Sequence, residues 1–118
     1  MYVEGKWYSL TAKKNIYHED DPVGNLDASL LSEYILGPIL GITDLKTDKR
    51  IAFVSGSKGM EELKRQVDSG KMKAAFGLYP VSMNQLKHIA DTNNTMPPKT
   101  TWIEPKLRSG LVIYSLCD

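Results

Sequence analysis

Hydrophobic and polar positions along this chain follow two periods, and the switches between them mark out its elements. Residues 5–12, GKWYSLTA, set bulky apolar side chains against small or polar ones with a period of two, as a half-buried strand does. Tyr2 and Val3, just before them, are strand formers as well. KKNIYHEDDPVGN then breaks the pattern with charge, Pro22, Gly24 and Asn25, and reads as a loop. Leu30, Leu31, Tyr34 and Ile35 recur at helical spacing, with Asp27 placed to cap the first turn. Gly37 and Pro38 should end or kink that helix, because proline lacks an amide proton and crowds the preceding turn.

The second half repeats the alternation. RIAFVSG (50–56) and KAAFGLYP (73–80) are short apolar runs rich in strand formers. Between them, SKGMEELKRQVDSG places Met60, Leu63 and Val67 on one helical face, with Ser57 as cap and Gly70 as stop. Glu61 stands one helical turn before Arg65. SMNQLKHIADTN puts Met83, Leu86, Ile89 and Ala90 on one side and offers Ser82 as N-cap, and SGLVIYSL (109–116) ends the series as a last strand. This order predicts an α/β fold, or its α+β variant: a mixed sheet of roughly four or five strands with about three helices packed on it. Strand-helix-strand units at 50–79 and 73–116 predict some parallel pairing, while the first strand would pair antiparallel at an edge or beside the last.

At 118 residues the chain suits a single domain. A formal net charge of +1 gives no reason to expect DNA, RNA or an anionic membrane as partner, so any basic surface must be local. Cys117 is the only cysteine, which excludes an internal disulfide and a thiolate metal site and fits a cytoplasmic location. No stretch is long enough to cross a bilayer, and the first residues lack the apolar run of a signal peptide. Both ends lie in strand-like sequence, so the chain is expected to be a piece of a longer polypeptide.

Candidate chemistry concentrates late in the chain. The acidic loop YHEDD holds His18, Glu19, Asp20 and Asp21, but adjacent residues rarely aim at one point and the spacing of a calcium loop is missing, so no metal is expected. VSGSKGMEEL (54–63) runs from a strand into a helix start, yet it lacks the phosphate-loop pattern, and Glu61 and Glu62 would repel an anion. TMPPKTTWIEPKLRSGL (95–111) is different. Pro97 and Pro98 fix backbone torsions and lower the entropy lost on ordering. Around them stand Lys99, Thr100, Thr101, Lys106 and Arg108, cations and hydroxyls of the kind a phosphate or carboxylate needs. Trp102 is either a packing anchor or a stacking face, and His88 could reach the connector from the helix before it. The competing reading makes the prolines a helix stop and leaves the cations in water. No catalytic set and no cofactor can be assigned from these residues.

The stretch MPPKTTWIEPKLRSGLVI resembles the C-terminal part of a mainly prokaryotic family known as domain of unknown function 1015. The resemblance runs through Met96, Pro97, Pro98, Lys99, Thr100, Thr101, Pro105, Lys106, Gly110, Leu111 and Val112. It extends to GKWY, NLDASLLSEYILGPILGI and AAFGLYPVSMNQLKHIAD, nearly the whole chain. Thr100 stands where the family often has serine, and Ile103 and Glu104 where it commonly has an aromatic residue, which counts against a stacking site here. Members are several times longer, so the resemblance implies that the chain is the C-terminal fragment of a longer protein, with the missing N-terminal part as its partner; it implies no particular reaction. Some carry a label linking them to chromosome-partitioning proteins of the ParB/SpoOJ type, which implies a nucleic-acid-associated or protein-interaction module. The residues themselves point to a small anionic ligand, phosphorylated or nucleotide.

Overall fold

In the computed structural model of the chain, residues 1–18 and 20–101 are described. The N-terminus forms a tight hairpin of β1 (Tyr2–Val3) and β2 (Lys6–Trp7), in register Tyr2↔Trp7 and Val3↔Lys6. Glu4 and Gly5 link the strands with φ of 49° and 78°. Two successive positive φ values define the turn whose twist matches that of paired strands. The pairing continues past the strand ends, since the Tyr8 amide donates to the Met1 carbonyl (2.8 Å) and the Met1 amino group to the Tyr8 carbonyl (2.9 Å). β3 (Ala74–Ala75) lies on the other side of β1 and is also antiparallel, so the sheet order is β2-β1-β3.

This corrects the expected sheet. Among the described residues it has three short antiparallel strands, in an α+β arrangement, where roughly four or five in a mixed sheet were expected. The reason lies in residues 50–56, which form no strand, so the unit that would have forced a parallel crossover does not exist. Its apolar residues are only partly covered: Ile51 and Val54 are half-buried, and Phe53 is exposed. The run at 5–12 is likewise one arm of a hairpin, and the run at 73–80 pairs only through its two alanines. The expected last strand, 109–116, lies outside the described residues.

The helices follow the sequence closely. α1 (Asp27–Leu31) runs on into a π-helical turn, Ser32–Leu36, and the chain turns at Gly37 and Pro38 as expected. Asp27 is the first helical residue, and Leu26 occupies the cap position. α2 (Gly59–Asp68) follows a 3₁₀ turn, Gly56–Lys58, whose cap is the Ser55 hydroxyl accepting from the Ser57 amide, so Ser57 is the capped residue. α2 ends where Gly70 takes φ 74° and its amide reaches the Val67 carbonyl (2.9 Å). Arg65 pairs with Glu62 three residues back (2.7 Å), in place of the expected Glu61. α3 (Met83–Asp91) starts with a reciprocal capping box between Ser82 and Gln85.

Helix α2 packs on β1 and β3. Tyr2 joins the layers: its ring lies 4.8 Å from that of Trp7, and its hydroxyl donates to Asp68 Oδ1 at 2.7 Å. The Asp68 carboxylate holds the Tyr2 proton, and with burial this raises the Tyr2 pKa above its usual 10.0. The buried side chains are Tyr2, Leu26, Leu30, Leu36, Ile42, Ala75 and Ile89, and no polar side chain is buried among the described residues. No helix there is long and apolar enough to cross a membrane.

Candidate functional site

The connector is positioned by the end of α3. Asn93 takes φ 54°, its amide donates to the Ala90 carbonyl (3.0 Å), and the Asn94 amide reaches back to the Ile89 carbonyl (3.0 Å). These two bonds form a Schellman cap, which satisfies the last helical carbonyls and throws the chain out sideways. Residues 94–97 are irregular and lead into a turn at Pro98 and Lys99. Proline followed by a residue at positive φ is the order of a type II turn. Lys99 has φ 64°, a torsion that is unfavourable for any residue with a Cβ. The Thr100 hydroxyl closes the turn by donating to the Pro97 carbonyl at 2.7 Å.

Opposite Pro97 stands the end of the first helix. Ser29, Ser32 and Glu33 from the helical turns, Ile42, Thr43 and Leu45 from the loop beyond, and Pro97 line an open cleft of about 490 Å³. The π-helical turn shapes this wall: the Gly37 amide bonds the Ser32 carbonyl five residues back (3.0 Å). Such turns are uncommon and recur at functional sites. The Ile42 amide then bonds the Leu36 carbonyl (2.8 Å), which buries Ile42 beneath the cleft.

Arg50 clips the loop from outside. Its guanidinium donates to the carbonyls of Leu40 (3.0 Å) and Gly41 (2.8 Å), and it pairs with Asp48 at 2.6 Å. The hydrogen bonds from Arg50 lower the Asp48 pKa from 3.8 to about 2. Asp44 also lies below its ordinary range, held there by the Thr47 hydroxyl and the Lys46 amide.

Of the residues singled out from sequence, the structure brings Pro97 to the cleft; Lys99 and Thr101, two and four residues on, are exposed, and Thr100 is half-buried. The Thr100 proton is committed to the Pro97 carbonyl, so toward a ligand this hydroxyl is an acceptor. His88 is exposed on α3. Trp102, Lys106 and Arg108 lie outside the described residues. In the acidic loop, Asp21 Oδ1 accepts from the amides of Val23 (3.1 Å) and Gly24 (2.7 Å). That carboxylate is folded onto its own loop, and a Cβ on Gly24 would stand 2.3 Å from its other oxygen.

Sequence reasoning missed Ser29, Ser32, Glu33 and Thr43. A signal was there: Ser29, Ser32 and Glu33 are spaced i, i+3, i+4, which makes one polar stripe on an otherwise apolar helix. No family model matches the chain, and no curated protein or solved structure matches it.

Proposed function

We propose that this chain is a small-ligand-binding domain whose connector holds an anionic ligand, phosphorylated or nucleotide, at the rim of the cleft. Lys99 supplies the charge, and Lys106 and Arg108, further along the same stretch, add to it. One observation carries this reading: a proline turn walls the cleft with Pro97 and holds Lys99, two residues on, exposed and at positive φ. Glycine would occupy that torsion more cheaply, by about 1–2 kcal/mol. Strain of this kind persists where the surroundings impose it, and it clusters at ligand-binding sites. The cations of MPPKTTWIEPKLR and the exposed Thr101 hydroxyl lend further support.

Titration with inorganic pyrophosphate, followed by amide chemical shifts, tests the proposal. Saturable shifts at Lys99 and Thr100 are expected, weaker in Lys99→Ala and Lys106→Ala. Equal binding by all three proteins would remove Lys99 and Lys106 from the site.

A second reading is favoured by the apolar surface. Trp7, on the outer strand β2, and Tyr8, the residue after it, are exposed, as are Ile39 (70%) and Tyr79 (86%). An edge strand with exposed aromatics is a contact surface, and the partner proposed for it is the remainder of a longer polypeptide. In a Trp102→Phe background, Trp7 fluorescence would be shielded from iodide in the longer protein and quenched in this chain. Equal quenching in both would exclude the contact.

A further inference from the structure

We infer that the cleft beside the connector takes an organic ammonium group carried on an apolar body. The inference rests on the ligand-binding reading above, since it concerns the same cleft, and it names the chemistry of the ligand's other end. The Ser29 hydroxyl donates to the Val23 carbonyl (2.7 Å) and the Ser32 hydroxyl to the Ala28 carbonyl (2.8 Å). Both protons are therefore spent within the fold, and each oxygen offers the cleft only lone pairs. Glu33 adds an exposed carboxylate that pairs with no cation among the described residues. A phosphate entering here would meet acceptors, and only the Thr43 hydroxyl among these side chains is able to turn a proton toward it.

The backbone has the same polarity. The cleft runs along the helical stretch 27–36 from Ser29 to Gly37, and at Gly37 it reaches the C-terminal end, where the peptide dipoles present their negative end. The fold already seats one cation on this loop: Arg50, donating to the Leu40 and Gly41 carbonyls. Its charge is balanced by Asp48, so it does not set the sign of the cleft. A primary ammonium has three donors and no acceptor, and it faces three side-chain acceptors in Ser29, Ser32 and Glu33. Ile42, Leu45 and Pro97 supply the apolar contact for the carbon chain behind it. With Lys99 exposed two residues beyond Pro97, the ligand class is a small zwitterion, amino-acid-like, cationic toward Glu33 and anionic toward the connector.

The test uses n-butylammonium, n-butyrate and n-butanol as probes of the intact chain, followed by amide chemical shifts at neutral pH and low salt. Butylammonium should move the amides of Ser32, Glu33 and Thr43 saturably, with butanol weaker and butyrate without effect there. Glu33→Gln should weaken butylammonium about two- to fivefold, the range for one ion pair at an exposed site. Should Glu33→Gln lose its dispersed spectrum, about 0.5 M salt added to the unaltered chain replaces it, and must weaken butylammonium more than butanol. Butyrate equal to butylammonium, no saturable shift from any probe, or indifference to both Glu33→Gln and salt would overturn the inference. Loss of pyrophosphate binding in Lys99→Ala speaks to the anion site alone, so the two readings fail separately.

Discussion

Replacing Ser82 by alanine removes the cap that starts α3, the helix whose far end delivers the connector. Three hydrogen bonds meet at this cap. The Gln85 amide donates to Ser82 Oγ (3.2 Å), the Ser82 amide donates to Gln85 Oε1 (2.9 Å), and the Ser82 hydroxyl donates to the same Oε1 (2.9 Å). Alanine keeps only the second. Loss of a serine N-cap costs about 1 kcal/mol, within a range of about 0.5–2. With an unfolding entropy of about 2.1 cal/mol/K per residue, 118 residues give roughly 0.25 kcal/mol/K, so Tm should fall by about 4 °C. Gln85→Ala leaves the amide of Ser82 unpaired and should cost a similar amount. The hydroxyl-to-Oε1 bond is counted in both single variants but lost only once, so the double variant should be less destabilised than their sum by about 0.5 kcal/mol. Circular dichroism melts of the four proteins measure the cycle. Full additivity would show that the hydroxyl-to-Oε1 bond does not form, and an unchanged Tm in Ser82→Ala would show that α3 does not begin there.

Three other outcomes follow from the same structure. Gly70→Ala should lower Tm by about 2–4 °C, because φ 74° costs about 1–2 kcal/mol with a side chain, offset by about 0.4–1 kcal/mol from a stiffer unfolded chain, while no neighbouring atom obstructs the new methyl; a neutral result would mean α2 does not end in this conformation. Glu62 is lowered from 4.5 to about 2 by its hydrogen bonds with Arg65 and then Gln66. Its contribution is therefore complete above pH 4.5 and is lost as pH falls through about 2, so Glu62→Gln should flatten the acid limb of Tm against pH in that window. The pKa of Tyr2 is raised, first by its hydrogen bond to Asp68, so its contribution is complete below pH 10 and is lost as pH climbs above it. Tyr2→Phe should melt lower at neutral pH and show a shallower alkaline fall, and a parallel alkaline limb would contradict the Tyr2–Asp68 bond.

The helices were legible in the sequence because their ends are written in local chemistry. Ser82 with Gln85, Gly70 after α2 and the Gly37–Pro38 pair act within one turn of where they stand. The sheet was not legible, for two reasons. The hairpin turn uses Glu4 before Gly5, so the Asn-Gly or Asp-Gly signature of such turns is missing. Strand pairing also depends on tertiary neighbours: Ala74 and Ala75 are weak strand formers that pair beneath α2, while the stronger residues of 51–54 find no partner strand among the described residues. Half of the site was readable in the same way. Pro97, Pro98 and Lys99 mark the connector by composition, whereas the facing stripe of Ser29, Ser32 and Glu33 becomes a wall only once the chain has folded back on it. The bond that spends each serine proton is invisible in the sequence, and it is what gives the cleft its polarity.

The melting shift produced by pyrophosphate in Lys99→Gly, set against the unaltered chain, tests the anion-site proposal most directly. Glycine relieves about 1–2 kcal/mol of torsional cost and returns about 0.4–1 kcal/mol through a freer unfolded chain, a net gain of about 0.5–1 kcal/mol, or about 2–4 °C. The proposal predicts that Lys99→Gly melts higher than the unaltered chain without ligand, and that pyrophosphate raises the Tm of the unaltered chain but hardly that of the variant. A variant that melts lower, or that gains as much from pyrophosphate as the unaltered chain does, would contradict it.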